Sequence, residues 1–334
     1  MPEILHQKKH QNIKMISTTN HLKFSSPLTL PLQQLDHALT TLRYHTHTLY
    51  LFTKNDIKTM LIPLSALGIL TSLPGPPLTS HPTSFPTILS NLPALLLWLW
   101  LNILILSVSN QRDPAGVLED KLNKPWRPIP AGRTSAAQAR HLLLAAVPLT
   151  LALSFRLGVG SETLACICAS SYYNDLGGAD EHFLIRQLVN GLAYPVYGVA
   201  ALKILIADVG MAEILPGAYA WLGMLGLVVG TTIQVQDLKD YEGDKARGRH
   251  TFPVILGDAF TRFGICVGIL FWSLVCPAFW GIVQVLVAGW VWLSGALLAA
   301  RIWCCKGPEA DRLSFVMWSW WVMGLFVLPL MRVA

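Results

Sequence analysis

The residues best suited to chemistry form two acidic, partly basic segments, each at the end of a long apolar run. In the second segment, Asp237, Asp240 and Asp244 are spaced so that one continuous helix would place them on one face. Three carboxylates on one face repel each other unless a cation bridges them. Because residues 236–249 contain neither His nor Cys, their oxygen ligands favour Mg²⁺ over zinc. Basic side chains surround the acids, as a magnesium–diphosphate site requires: Lys239, Lys245, Arg247 and Arg249.

The first segment, residues 110–128, is less regular. Asp113 followed by proline is typical of a helix N-cap, and it predicts a short helix that carries Glu119 and Asp120. A proline-rich stretch then ends this helix and projects amide and basic side chains, namely Asn123, Lys124 and Arg127. Either segment alone could be a solvated polar loop. Two such segments, far apart in sequence, favour one shared cation site.

The composition indicates an integral membrane protein. Of its 334 residues, 53% are hydrophobic and 13% are charged, whereas soluble domains carry about 25% charged residues. The net charge of +6 is therefore interpreted as contact with lipid headgroups, not with nucleic acid. Residues 1–48 lack the apolar core of a secretory signal and are predicted to form a polar, largely disordered tail. The end of this tail, residues 32–49, could form an interfacial helix. Because the tail is poor in acidic residues, a transit peptide is an alternative interpretation. Residues 49–334 are predicted to form the transmembrane domain.

Nine apolar stretches approach the length of about 20 residues that crosses a bilayer as a helix. The two acidic segments follow the second and the sixth stretch, and this spacing suggests two similar helical halves. The stretches lie near residues 55–73, 90–110, 138–155, 157–174, 184–206, 215–235, 257–277, 279–300 and 314–331.

The basic residues predict the orientation of these stretches. Lys and Arg cluster before the first stretch and in the loops after the second, sixth and eighth, whereas residues 73–90 contain none. By the positive-inside rule the basic loops are cytosolic, so both acidic segments are expected to face the cytosol. The endoplasmic reticulum is the default location for a multispanning enzyme without a clear targeting signal.

The two segments resemble those of the UbiA superfamily of intramembrane prenyltransferases and related terpene cyclases. Residues 123–132 are similar to the loop after the first Asp-rich motif of that family, and residues 237–253 are similar to its second motif. The resemblance implies an all-α protein with nine transmembrane helices around a central cavity and a cytosolic cap over the two motifs. It also implies Mg²⁺ as cofactor and an isoprenyl diphosphate as substrate.

The first segment departs from the family pattern, which has Asn-Asp followed by two further Asp at four-residue steps. Here Asn110 is followed by Gln111, and Gly116 takes the position of the middle acid. Asp120 matches the last acid. The resemblance implies that Asp120, Asp237, Asp240 and Asp244 are catalytic and bind metal. Asn110, Asp113 and Glu119 are expected to complete the metal ligands. The resemblance also implies six diphosphate ligands, namely Asn123, Lys124, Arg127, Lys239, Lys245 and Arg249.

The resemblance implies ionisation of the substrate, expected to be farnesyl diphosphate, in a dry cavity. Loss of diphosphate creates an allylic cation, which aromatic faces can stabilise. Candidates for this role are Tyr172, Tyr173 and Tyr194, although packing or the interfacial aromatic belt is the more ordinary explanation for such residues.

Two outcomes follow from the ionised substrate. In a terpene cyclase the chain's own double bond captures the cation, whereas in a prenyltransferase an aromatic or other lipophilic acceptor does. The altered first segment favours the cyclase, with the prenyltransferase as the alternative. A cation-coupled transporter would also place carboxylates in a membrane, but here the charges cluster at one face rather than at midplane. The sequence gives no indication of protein partners.

Overall fold

The computed structural model describes residues 29–207, 212–282 and 285–332, and these residues form helices and connecting loops without a β-strand among them. Contacts divide the chain into two units, one ending at Thr46 and one beginning at His47. The helices are α1 (Thr29–Asp56), α2 (Ile62–Ser72), α3 (Phe85–Arg112), α4 (Pro114–Asn123), α5 (Ala136–Arg156), α6 (Gly160–Ser170), α7 (Gly178–Glu181), α8 (Phe183–Ile206), α9 (Pro216–Thr232), α10 (Val235–Lys239), α11 (Tyr241–Arg247), α12 (Phe252–Leu256), α13 (Asp258–Phe279), α14 (Val285–Cys304) and α15 (Pro308–Leu325).

Two π-helical turns interrupt the helical path. The first, Ile57–Leu61, joins α1 to α2, and the second, Ser171–Asp175, continues α6. A short 3₁₀ helix, Leu328–Met331, follows α15. Residues 1–28 of the predicted tail lie outside the described residues. The rest of the tail belongs to α1, which begins at Thr29.

Each of the nine apolar stretches overlaps helical backbone. Within the described part, five helices are long and apolar enough to cross a membrane, judged by length and composition. They are α3, α5, α8, α9 extended to Lys239, and α13. α14 contains a shorter apolar helix, Ala288–Cys304. The fold is therefore all-helical with several membrane-competent helices, as predicted.

The start of α8 lies beside the end of α9 because small residues let the two backbones approach closely. A Cβ atom at Gly226 would lie 2.6 Å from the carbonyl oxygen of Gly191, and one at Gly191 would lie 2.9 Å from the carbonyl oxygen of Gly226. Gly230, one turn further along α9, also approaches Gly191. Small residues at four-residue spacing are typical of tight helix crossings in membranes.

The short helices α4 and α11, which carry acidic residues of the two segments, also pack together. A Cβ at Gly243 would lie 2.0 Å from Nδ2 of Asn123, so a larger residue there would displace that amide from its present position. This contact brings the two segments to one place, although more than a hundred residues separate them in sequence. The predicted juxtaposition of the two segments is thus present in the fold.

The glycine crossing can be tested with two substitutions on α9. Gly226→Ala places a methyl group against the Gly191 carbonyl and is expected to lower the midpoint of thermal unfolding in detergent. Gly223→Ala is the matched control, because a Cβ there meets no atom within 4 Å and alanine favours a helix by up to about 1 kcal/mol. Equal midpoints for the two variants would contradict this account of the crossing.

Candidate active site

A cavity of about 560 Å³ is lined by residues of both acidic segments and of α2, α3, α6, α8, α9 and α15. Seven basic side chains but only three acidic ones line it directly, and three further aspartates lie behind its arginines, so a small excess of positive charge remains. The basic residues are Lys58, Lys124, Arg127, Arg186, Lys239, Arg249 and Arg312, and the acidic residues are Asp56, Glu119 and Asp240. Such an excess of positive charge suits a polyanionic ligand.

The cavity extends from this charged end along α8 to an apolar end. Tyr194 and Tyr197 line it and follow Arg186 by eight and eleven residues, which places them about 12 and 16 Å further along the helix. The apolar wall is completed by Leu64, Val229, Phe315, Trp318 and Val322. The cavity therefore accepts a ligand with a charged head and an apolar tail.

The aspartates of the second segment do not lie on one continuous helix, so that prediction is wrong. α10 ends at Lys239 and α11 begins at Tyr241. Between them, the N–H of Asp240 donates to the carbonyl of Asp237 three residues earlier, which tightens the last turn and ends the helix. Asp240 consequently lines the cavity, whereas Asp237 and Asp244 are buried and face arginines that line it.

Three buried aspartates are each paired with an arginine in the cavity wall. Each of these carboxylates is only 1% exposed. The pairs are Asp120–Arg127 at 2.7 Å, Asp237–Arg186 at 2.8 Å and Asp244–Arg249 at 3.2 Å. Because a lone buried charge is costly, each arginine is fixed by the aspartate behind it.

Contacts of Glu119 and Lys124 connect the first segment to the second. Glu119 lies 3.3 Å from Arg249, and Lys124 lies 3.8 Å from Asp240, whose carboxylate also pairs with Lys239. Burial alone would raise the pKa of Asp240, but Lys124 and Lys239 outweigh it and lower this pKa to about 2. Burial is likewise outweighed at Glu119, where Arg249 and Lys124 hold the pKa below its usual value.

Asp244 behaves in the opposite way. Burial and, second, the neighbouring Asp237 carboxylate raise the pKa of Asp244 to about 7, despite Arg186 and Arg249 nearby. The second segment therefore holds two adjacent carboxylates whose charges are not fully compensated by the basic residues around them.

Several buried polar atoms of the site have no hydrogen-bond partner. Two are carboxylate oxygens, Oδ2 of Asp237 and Oδ2 of Asp244. Four are donors on residues that line the cavity: Nε of Arg127, Nε of Arg186, Nη2 of Arg249 and Nδ2 of Asn123. Because buried polar groups are normally paired, the two carboxylate oxygens suit a cation and the four donors suit an anion.

The donor set of the second segment fits Mg²⁺. Its ligands are carboxylate oxygens only, and two of them are unpaired. No three Asp, Glu, His or Cys side chains in the described ranges converge closely enough to hold a metal by themselves. This is the usual state of Mg²⁺ sites, in which one or two carboxylates and the phosphate oxygens of the substrate share the ion.

Most of the site residues predicted from the sequence line the cavity. They are Asn110, Glu119, Asn123, Lys124, Arg127, Tyr173, Tyr194, Lys239, Asp240 and Arg249. Asp120, Asp237 and Asp244 are buried next to arginines of the cavity wall. Asp113 caps α4 through a bond from the N–H of Gly116, as predicted. Lys245 and Tyr172 are exposed and do not line the cavity.

Arg186 is the main residue that the sequence analysis missed. It donates to Asp237 at 2.8 Å and to the Tyr173 hydroxyl at 2.6 Å, and thus connects α8 to the second segment. Its position in the apolar stretch 184–206 was a usable signal, because an ionisable residue at membrane depth is a functional candidate.

Gln111, where the sequence was expected to depart from the family pattern, does not line the cavity. Gln111 is fully buried, and its Nε2 donates to the carbonyl of Phe52 in α1. The preceding Asn110 does line the cavity and donates to Asn174 at 2.9 Å. Gln111 therefore connects two helices, and Asn110 belongs to the site.

Comparison with known proteins gives the family. Residues 68–322 match the sequence model of the UbiA prenyltransferase family. The chain belongs to this family. It is 29% identical to somaliensene A/B synthase of Streptomyces somaliensis over 84% of this chain and 91% of that protein. It is 28% identical to fumagillin β-trans-bergamotene synthase of Aspergillus fumigatus over 85% of this chain and 91% of that protein.

The fold of this UbiA protein is also that of a solved structure. A UbiA homologue from Archaeoglobus fulgidus bound to GPP and Mg²⁺ superposes with a TM-score of 0.60 at 15% identity, covering 84% of this chain and 99% of that one. Together with the named synthases, the family match confirms the prediction that the chain is an enzyme of the terpene synthase and prenyltransferase type.

The raised pKa of Asp244 predicts a pH effect on stability. Because the folded-state pKa of about 7 exceeds the ordinary 3.8, the charged carboxylate destabilises the fold increasingly as pH rises from about 4 to 7. We expect Asp244→Asn, compared with the native protein in detergent and chelator, to gain more thermal stability at pH 8 than at pH 5. Glu242→Gln, on the exposed side of α11, is the control and should show no such difference. A pH-independent effect of Asp244→Asn would contradict the shift.

Proposed function

We propose that this UbiA enzyme is a terpene cyclase that ionises an isoprenyl diphosphate, with farnesyl diphosphate the expected substrate. One observation carries the proposal: the same cavity is lined by basic residues backed by buried aspartates at its charged end, and by tyrosines and apolar side chains at the other. Relatives named as terpene synthases, matched over most of both chains, support cyclisation over transfer to an acceptor.

At the charged end, Asp237, Asp240 and Asp244 would hold Mg²⁺, which when bound supplies positive charge that stabilises the leaving diphosphate. The side chains themselves bind and orient the substrate. Arg127, Arg186, Arg249 and Asn123 line the cavity and would bind the diphosphate oxygens, and Lys124 and Lys239 add charge. These groups act where negative charge develops as the carbon–oxygen bond breaks and both bonding electrons leave with the diphosphate.

At the other end, the protein protects and shapes the allylic cation. Apolar walls exclude water, and the faces of Tyr194, Tyr197 and Trp318 can stabilise positive charge. The π electrons of a distal double bond in the same chain then form the new carbon–carbon bond. Transfer of a proton from the cyclised cation to the released diphosphate gives a cyclic hydrocarbon. Addition of a water molecule, with transfer of one of its protons to the diphosphate, gives an alcohol.

We also propose the membrane arrangement that follows from the charge pattern. Nine helical segments cross the bilayer after a tail of residues 1–48, and α4 and α11 form part of a cap at the cytosolic face of the catalytic domain, residues 49–334. The basic loops next to the cavity support this orientation. The endoplasmic reticulum remains the proposed membrane.

The acceptor-free reaction tests the proposed function. We expect purified protein in detergent, supplied with farnesyl diphosphate and Mg²⁺ only, to release diphosphate and a cyclic hydrocarbon or alcohol, detected by gas chromatography with mass spectrometry. Turnover that begins only after an aromatic acceptor is added would instead assign the prenyltransferase activity.

The role of Arg186 gives a second test. Arg186→Gln removes a donor at the leaving group and is expected to slow diphosphate release about a hundredfold. Arg186→Lys keeps a charge opposite Asp237 but loses the planar fork, so it should fold normally and still be slow. Lys121→Gln, at an exposed position of α4, is the matched control and should react at the native rate. A normal rate in folded Arg186→Gln would remove Arg186 from the proposed site.

A further inference from the structure

The position at which the family pattern has an acid, Gly116, has no room for any side chain. A Cβ at Gly116 would lie 2.5 Å from the carbonyl oxygen of Asn110, which belongs to rigid helical backbone. It would also lie 3.0 Å from Nη1 of Arg247. The absence of an acid here is therefore built into the contact between α3 and α4, and the nearest charged group at this position is a guanidinium.

Arg247 takes part in a network of ion pairs around this position. Its side chain is only 2% exposed and lies 3.3 Å from Glu119, 3.4 Å from Asp113 and 2.9 Å from Asp180. Asp180 in α7 also pairs with Arg249 at 2.7 Å. The network joins α4, α7 and α11 with positive charge supplied by the protein itself.

Every carboxylate of the first segment is engaged by this network or by its own arginine. Asp113 accepts the N–H of Gly116 at 2.9 Å, Glu119 lies between Arg247 and Arg249, and both oxygens of Asp120 accept from Arg127, at 2.7 and 2.9 Å. Among the described residues, the buried carboxylate oxygens without a partner both belong to the second segment. The two segments are thus chemically unequal.

We propose that the first segment binds no metal ion and that metal is held by the second segment alone. At the first segment, arginine takes the place of metal: Arg247 neutralises Glu119 and Asp113, and Arg127 and Arg249 line the cavity and supply the positive charge that faces the diphosphate. This inference rests on the proposed function, because it assumes a diphosphate ligand. It differs from the family pattern, in which both motifs supply acids.

The asymmetry has a chemical reason. A guanidinium that is bonded to a buried carboxylate already has a fixed charge and fixed donors. It therefore does not need the acid that the family pattern has at position 116. A metal ion at the first segment would have to displace Arg127 from Asp120, or Arg247 and Arg249 from Glu119. Displacement of Arg127 would remove its carboxylate partner Asp120, which is strongly unfavourable for a buried guanidinium, whereas Arg247 and Arg249 would each lose one of several carboxylate partners.

The experiment counts bound Mn²⁺ by electron paramagnetic resonance of the free ion, in detergent and with inorganic pyrophosphate as the anion. We expect Asp237→Asn and Asp244→Asn to weaken Mn²⁺ binding at least about tenfold. We expect Glu119→Gln and Asp120→Asn to leave the number of bound ions at the native value. Two variants of each segment keep the comparison valid if one of them fails to fold, which elution from size-exclusion chromatography reveals.

The possible outcomes separate this inference from the proposed function. Loss of Mn²⁺ ions in Glu119→Gln or Asp120→Asn, comparable with that in Asp237→Asn, would overturn the inference and leave the proposed function intact. Native protein that binds no Mn²⁺ with pyrophosphate would overturn the proposed function, and with it the inference.

Discussion

Charge buried in this fold must be neutralised inside the protein, and the guanidinium–carboxylate pairs around the cavity do this. Asp120, Asp237 and Asp244 are almost completely buried. An ionised carboxylate in such surroundings would cost several kcal/mol, on the order of 3–5 if its partner were removed. Arg186 belongs to α8 and so fixes that helix against α10. Arg127 and Arg249 follow their aspartates by seven and five residues, and they fix the loops after α4 and α11. The groups that stabilise the fold are thereby the groups that face the ligand.

These pairs depend on close backbone contacts elsewhere. Arg186 reaches Asp237 because α8 crosses α9 where Gly191 meets Gly226. The two acidic segments meet because Gly243 accommodates the amide of Asn123. Small residues therefore set the distances at which the charged residues can bond, and the electrostatics of the site follow from the packing of apolar helices.

Local features of the site were predictable from the sequence. The cap at Asp113, the short helix after it and the cavity position of Lys124 and Arg127 follow from residue types within a few positions of each other. The pairing of Arg186 with Asp237 was not predictable, because 51 residues separate them and no periodic pattern encodes the contact.

Helix interruptions account for the other differences. The sequence spacing of the second segment predicts one helix, but the chain tightens and turns at Asp240. Tyr172 and Tyr173 are adjacent in sequence, and the π-helical turn places only Tyr173 in the cavity wall. Which of two neighbouring side chains faces a cavity depends on local backbone winding, which a hydrophobic pattern does not specify.

Both π-helical turns adjoin the cavity: Lys58, Thr59 and Met60 of the first line it, as do Tyr173 and Asn174 of the second. A π turn adds one residue to a helix without changing the helices on either side. Gain or loss of a residue at either turn therefore exchanges the side chains that face the ligand while the apolar packing of the flanking helices persists. The contour of the cavity, and so the space open to a ligand, can in this way change independently of the charged residues of the two acidic segments.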